Sequence, residues 1–371
     1  MTINSTVAES LAPGRAASAA ELAVQRRPTA FPGRTSALNT GPTPDRLMQF
    51  AWGFAPPLII SAAVKFRLFD ILEETPQTVP ELAAKTGASA RGLTALLNAL
   101  VGLEFLTRKE GRYHLTPESN AYLVSTKPSY FGGLFKHIGR QLLPNWLQLE
   151  DVVWTGRPVQ AMNQQQTGMD FFAEFVESLF PMSYQAATLV GEHLGVSKSA
   201  APVSVLDIGA GSGVWGIALA RLSPQVQVRA VDWPRVLEVT QKVARRHGVG
   251  DRVKTVPGDL LEADFGSGHQ VATIGHILHS EGRERSRQLL RKTFMALAPK
   301  GTIVISEFMP AEDRTGPPTP LIFAVNMLLH TEAGDTYSFA EISDWLLDAG
   351  FRHRRLFDAP SPSPLVLATR P

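Results

Sequence analysis

Three carboxylates stand where apolar runs end, and their spacing suits one kind of ligand. The first lies in Val203-Ser204-Val205-Leu206-Asp207-Ile208-Gly209-Ala210-Gly211-Ser212-Gly213, a short buried strand that runs into a turn of alternating glycines. Glycine takes φ > 0 and lets the backbone approach a ligand closely, and the helix that follows offers free N–H groups. Such a loop binds an adenosine-type cofactor. Gly211, Gly213 and Gly216 also satisfy the G-x-G-x-x-G of dinucleotide folds, a weak match by itself. The acids decide between the two. Asp207 is placed to face an ammonium, and Asp232, after the run Val226 to Val231, to accept hydrogen bonds from ribose hydroxyls. Asp259, with Leu260 beside it after Val253 to Val256, is placed to hold an adenine. Three acids suit a cationic sulfonium better than a pyrophosphate, so S-adenosylmethionine is the expected cofactor. The plain alternative for Asp232 and Asp259 is turn chemistry.

A fourth apolar run, Val271 to Ile274, leads into Gly275-His276-Ile277-Leu278-His279-Ser280-Glu281, and Thr302 to Phe308 carries Glu307 at its end. Taken alone, a histidine at a strand end is more often structural than catalytic. Strands alternate with helices from residue 199 onward, with a helix from Phe339 to Ala349 and closing strands near 351–358 and 365–369. This implies an α/β fold with a mostly parallel sheet covered on both faces.

Upstream, two apolar helices between Leu47 and Leu72 are expected to break at Pro56-Pro57. Thr78-Val79-Pro80-Glu81 is a capping box, its helix ends at Gly87, and Ser89 caps a second helix bearing Leu93, Leu96, Leu97 and Leu100. A hairpin over Leu103 to Leu115 completes a winged helix-turn-helix. A DNA-binding regulator is therefore a rival reading. Its reading helix, Ala90 to Leu100, has Arg91 as its sole charge, too few groups for phosphates and base edges. Packing and dimerisation is the favoured role. The segment from Tyr130 to Leu194 is helical and aromatic, suited to walling a pocket at a domain junction.

The chain has 371 residues, enough for more than one domain, with 44% hydrophobic residues for a core. A net charge of +2 argues against a broad nucleic-acid surface, and the lack of cysteine excludes disulfides and thiol catalysis. The histidines show no metal-ligand spacing, so no metal is expected. No apolar run is expected to reach a membrane span; Ala55 to Val64 is too short and holds two prolines. A cytoplasmic protein is expected. The organisation expected is a disordered tail over 1–44, a winged-helix domain over 45–125, a helical pocket region over 126–198, and a cofactor-binding domain over 199–371.

From about Arg46 onward the chain resembles the dimeric S-adenosylmethionine-dependent O-methyltransferases, which include plant caffeate and flavonoid enzymes and bacterial small-molecule methyltransferases. The matching segments are Asp207 to Gly213, Val231-Asp232-Trp233-Pro234, Gly258-Asp259-Leu260-Leu261 and Ile274 to Glu281. The resemblance implies a seven-stranded sheet, a homodimer formed through the winged-helix domain, His279 as general base and Glu307 as its supporting carboxylate. It adds Trp233, Leu260 and Ser183 to a cofactor site with Asp207, Gly209, Gly211, Gly213, Asp232 and Asp259. It places Met182, Phe175, Met327, Asn326 and His276 around the acceptor.

The departures are specific. The family's lysine is Gly275 here, its two tryptophans are His276 and Glu281, and its second supporting glutamate is Thr336. Glu281 is the nearest carboxylate to compensate. The expected reaction is methyl transfer to a phenolic or enolic hydroxyl of a small aromatic or polyketide-like metabolite. Transfer to carbon or nitrogen, where alignment suffices, and a non-methylating pericyclase or hydroxylase-like relative are the alternatives.

Overall fold

The computed structural model describes residues 42–173 and 175–371. Apart from residues 42–44, the tail expected over 1–44 lies outside the described residues. The chain divides into two compact units, Met1–Ala55 and Pro56–Pro371. The described part of the first is essentially one short helix, Asp45–Ala51.

The next helix, Ala55–Lys65, contains Pro56 and Pro57 in its first turn. The expected break at these prolines is therefore misplaced. First-turn N–H groups have no intrahelical acceptor, so proline costs nothing there, and the interruption falls at residues 52–54 instead. Among the described residues, Asp45–Lys65, with mean hydropathy 1.5, is long and apolar enough to cross a membrane. This corrects the expectation that no run reaches that length.

The second unit opens with the winged helix. Thr78 and Glu81 close the capping box over Val79–Thr86, which ends at Gly87 with φ 71°. Ser89 accepts from the Gly92 N–H to cap Ala90–Gly102. Such caps stabilise by roughly 1 kcal/mol each. Leu82, Leu93, Leu97 and Leu100 are buried against Phe69, Leu72, Leu106 and Tyr113. Strands β1 (Leu106–Lys109) and β2 (Arg112–Leu115) pair antiparallel as the wing.

The main sheet has seven strands. They are β3 (Val203–Ile208), β4 (Val226–Asp232), β5 (Val253–Pro257), β6 (His269–Gly275), β7 (Leu297–Ser306), β8 (Arg352–Phe357) and β9 (Leu365–Thr369), in the order β5-β4-β3-β6-β7-β9-β8. The first five are parallel; β9 pairs antiparallel to β7 and β8 to β9. Val205, Leu206 and Ile208 are all buried because helices cover both faces. One face holds the Ile217–Val228–Val243 core and the other the Leu289–Ile303–Trp345 core. Strand β3 is flanked by β4 and β6, so the order reverses there, and the crevice beyond its carboxyl end is where ligands bind in open α/β sheets. Registers Ile208↔Val231, Ile208↔Ile274 and Gly275↔Ser306 bring Gly209, Asp232, His276 and Glu307 to that one end.

Candidate active site

A cleft of about 1030 Å³, counting the open solvent at its mouth, lies at these strand ends. Gly209, Gly211, Asp232, Trp233, Asp259, Leu260, Ser183, Met182, His276 and His279 all line it. Phe175, Met327, Asn326, Asp207 and Gly213 do not.

Gly211 has φ 55°, a conformation that favours glycine, and a Cβ there would touch Val176 at 3.9 Å. Its N–H donates to Asp232 Oδ2 at 2.8 Å, and the Trp233 N–H donates to Oδ1 at 2.7 Å. These bonds aim the carboxylate from the end of β4 across the glycine loop. Asn163, which also lines the cleft, donates to the Ser280 carbonyl at 3.2 Å, while its buried Oδ1 has no hydrogen-bond partner among the described residues. A glycine turn on the cleft wall, a carboxylate beside it and an orphan acceptor fit an S-adenosyl group.

Asp207 departs from its expected role. Its oxygens accept from Thr273 Oγ1 at 2.7 Å and the Gly216 N–H at 2.9 Å, and the residue is buried behind the loop. It ties β3 to β6 and to the helix Val214–Leu222 rather than facing an ammonium. Gly216 makes this possible, since a Cβ there would come 3.0 Å from Asp207 Oδ2. Gly213 is also structural: its Cβ would meet Thr240 at 2.8 Å.

Burial pushes the Asp232 carboxyl up to about 6, against the pull of the two backbone N–H groups. Below that pH it holds a proton and loses acceptor capacity. Cofactor affinity is therefore expected to fall as pH drops through 6, by about tenfold between pH 7 and 5, measurable by titration calorimetry. A Kd unchanged over this range would remove Asp232 from the binding site.

His279 lines the cleft, and Glu307 is buried behind it. Glu307, just beyond β7, accepts from His279 Nδ1 at 2.7 Å, from the Leu278 N–H at 2.7 Å and from the His279 N–H at 3.4 Å. Burial alone would raise the Glu307 carboxyl; His279 and these hydrogen bonds bring it below its usual range. An ionised carboxylate on Nδ1 keeps the proton there and leaves Nε2 as the basic nitrogen. The peptide geometry is set by Gly282, whose φ of 75° breaks the helix Leu278–Ala296, so His279 and Glu281 sit in a separate turn.

The departures from the resemblance acquire physical reasons. A Cβ at Gly275 would come 2.3 Å from the Trp215 indole nitrogen, so the Trp215 ring on the cleft wall leaves no room for a lysine. His276, with φ 60°, pairs its Nε2 with Ser363 Oγ at 2.7 Å. Desolvation pushes His276 down to about 4, with Glu307 opposing and His279 reinforcing, so it is neutral at pH 7. Thr336 does not touch the base; its hydroxyl donates to the Pro320 carbonyl. Its neighbour Asp335 donates its N–H to the His279 carbonyl at 2.9 Å. Glu281 Oε2 accepts from Arg285 at 2.7 Å, and the nearby His279 also acts on this carboxylate electrostatically.

Beyond the cleft wall, Phe175 stacks on His137 at 3.8 Å, and Asn326 accepts from the Trp146 indole at 3.1 Å. Met327 is buried on the helix Pro318–His330, one turn from Phe323, whose ring stands edge-on to His279 at 4.9 Å. Phe172, from the aromatic segment expected to wall a pocket, does line the cleft. The residues that sequence reading missed are Phe323, Trp215 and Asn163, of which Trp215, next to the glycine loop, carried a local signal. Among the described residues no group of three or more His, Asp or Glu could hold a metal ion.

Residues 48–125 match the O-methyltransferase dimerisation domain and residues 146–352 the O-methyltransferase domain. The chain is 30% identical over 320 residues to the 3-hydroxy-5-methyl-1-naphthoate 3-O-methyltransferase of Streptomyces sahachiroi, covering 86% of this chain and 92% of that one. It is 27% identical over 336 residues to the tetracenomycin polyketide synthesis 8-O-methyl transferase of Streptomyces glaucescens, covering 88% and 97%. The S-adenosyl-L-methionine-dependent methyl transferase PigF of Serratia sp. is 28% identical over 338 residues, covering 86% and 93%. A solved structure of PigF with SAH superimposes with a TM-score of 0.75 at 26% identity, over 89% of this chain and 100% of that one. The chain belongs to the O-methyltransferase family that carries an N-terminal dimerisation domain, and it is an S-adenosylmethionine-dependent O-methyltransferase.

Proposed function

We propose that the protein methylates a hydroxyl of a small planar secondary metabolite, with His279 as general base, and that it works as a homodimer. The observation that carries this reading is His279 on the cleft wall, backed by buried Glu307 at 2.7 Å, with Nδ1 committed and Nε2 left basic. S-adenosylmethionine supplies a methyl group activated by its positive sulfur. The chain's own part is alignment and proton removal. A phenol, with a pKa of roughly 10, is a poor nucleophile at neutral pH. His279 Nε2 takes its proton as the new C–O bond forms, and Glu307 stabilises the imidazolium that results. Asp232 would hold the ribose hydroxyls and Asp259 with Leu260 the adenine, while Ser183 and Gly209 line the cleft between.

Phe308 and Phe323 pack on each other, 4.5 Å apart between centroids, and both contact the His279 ring. The naphthoate and polyketide names of two relatives support an aromatic acceptor. The dimerisation-domain match supports pairing with a second copy. A chain without cysteine suits a reducing compartment, and we place it in the cytoplasm. Glu307→Gln tests the reading: it keeps the shape but removes the charge that stabilises the imidazolium. We expect kcat to fall by about 10- to 100-fold, with the affinity for S-adenosylhomocysteine held within about twofold. Unchanged kcat in a well-folded variant would contradict it.

A further inference from the structure

We infer that Glu281 and Arg285 are a positioning pair that presents the Asp259 carboxylate to the exocyclic amino group of adenine. This rests on the reading that the adenine lies at Asp259. Asp259 and Glu281 both line the cleft, and Arg285 stands between their carboxylates. Arg285 Nη2 donates to Asp259 Oδ1 at 3.0 Å and Oδ2 at 2.8 Å, and Nε donates to Glu281 Oε2 at 2.7 Å. The planar guanidinium thus links two acids in one geometry, which a lysine cannot do.

The acceptor count of Asp259 follows from these bonds. Oδ1 already receives Arg285 and the Leu261 N–H at 2.8 Å. Oδ2 receives Arg285 alone, and a carboxylate oxygen has two acceptor directions. One direction therefore remains, and it calls for a donor. Adenine brings an amino group at that position; hypoxanthine brings a carbonyl oxygen, which a carboxylate repels.

The same helix face holds the rest of the segment. Two turns beyond Arg285, Lys292 Nζ donates to the carbonyls of Leu260 at 3.0 Å, Leu261 at 2.8 Å and Ala263 at 2.5 Å, and lies 4.1 Å from the Phe265 ring centroid. With Lys292 fixing the backbone, Arg285 is left to set the carboxylate. Glu281 is buried and stands where the resembling family has a tryptophan. Arg285 explains how a second acid is tolerated at that end of the cleft.

Calorimetry on the full chain with S-adenosylhomocysteine and S-inosylhomocysteine tests the inference, with melting temperatures confirming the fold of each variant. Wild type is expected to prefer the adenosine compound by at least about tenfold. Arg285→Ala should weaken that compound about tenfold and narrow the preference to within about threefold. Glu281→Leu should reproduce this loss. Glu281→Gln retains an acceptor for Nε and should stay within about threefold of wild type. An Arg285→Ala protein that keeps the full preference, or that loses affinity equally for both compounds, overturns the inference. A wild type with no preference overturns the placement of adenine at Asp259, and the inference with it.

Discussion

Replacing His279 with alanine is expected to lower kcat by about 10²- to 10⁴-fold, the usual contribution of a positioned general base. Affinity for S-adenosylhomocysteine should change by less than about threefold, because His279 is read as acting on the acceptor. The size follows from the site. No other described basic group on the cleft wall is oriented like His279: His276 is held neutral, with its Nε2 on Ser363. Alanine also leaves Glu307 buried with two backbone N–H donors and no imidazole. Because His279 is the main influence holding that carboxyl down, Glu307 is expected to take up a proton more readily in the variant. The rate loss is measured under saturating acceptor, with circular dichroism to confirm folding. A loss below about tenfold would favour transfer to carbon or nitrogen, where alignment suffices.

The second large effect is expected at Asp232. Its carboxylate is proposed to accept from the ribose hydroxyls, and hydrogen bonds to charged groups contribute about 1.5–3 kcal/mol each. Asp232→Ala also frees the Gly211 and Trp233 N–H groups that the side chain now engages, loosening the cradle. The Kd for S-adenosylmethionine should rise by at least about 10²-fold. Asp232→Asn, which keeps one acceptor oxygen, should fall between wild type and alanine. Calorimetry with S-adenosylhomocysteine reads both. An alanine variant within about threefold of wild type would mean that the ribose lies elsewhere.

Much of this architecture was legible because it is written locally. Thr78, Glu81, Gly87 and Ser89 announce their helices within four residues, and the run from Val203 to Gly213 announces the cofactor crevice. Interactions that join distant segments were not legible. Asn163 meets Ser280 across 117 residues, and Phe323 reaches His279 from a helix whose opening prolines hide it in sequence. Asp207 shows the limit of reading a strand end. Its place in the chain suggested a ligand contact, but its side chain turns to Thr273 and the Gly216 N–H, inside the packing. The same holds for Glu281, whose partner is decided by the bend at Gly282 and by an arginine one turn on.

The most direct test of the account is mass spectrometry of the purified protein with isotopically labelled S-adenosylmethionine and a panel of phenols, hydroxynaphthoates, anthraquinones and polyketides. One S-adenosylhomocysteine is expected per methylated product, with the label attached to oxygen and that product lost with the His279→Ala protein. A label attached to carbon or nitrogen, or an oxygen-linked product formed equally well without His279, would contradict it.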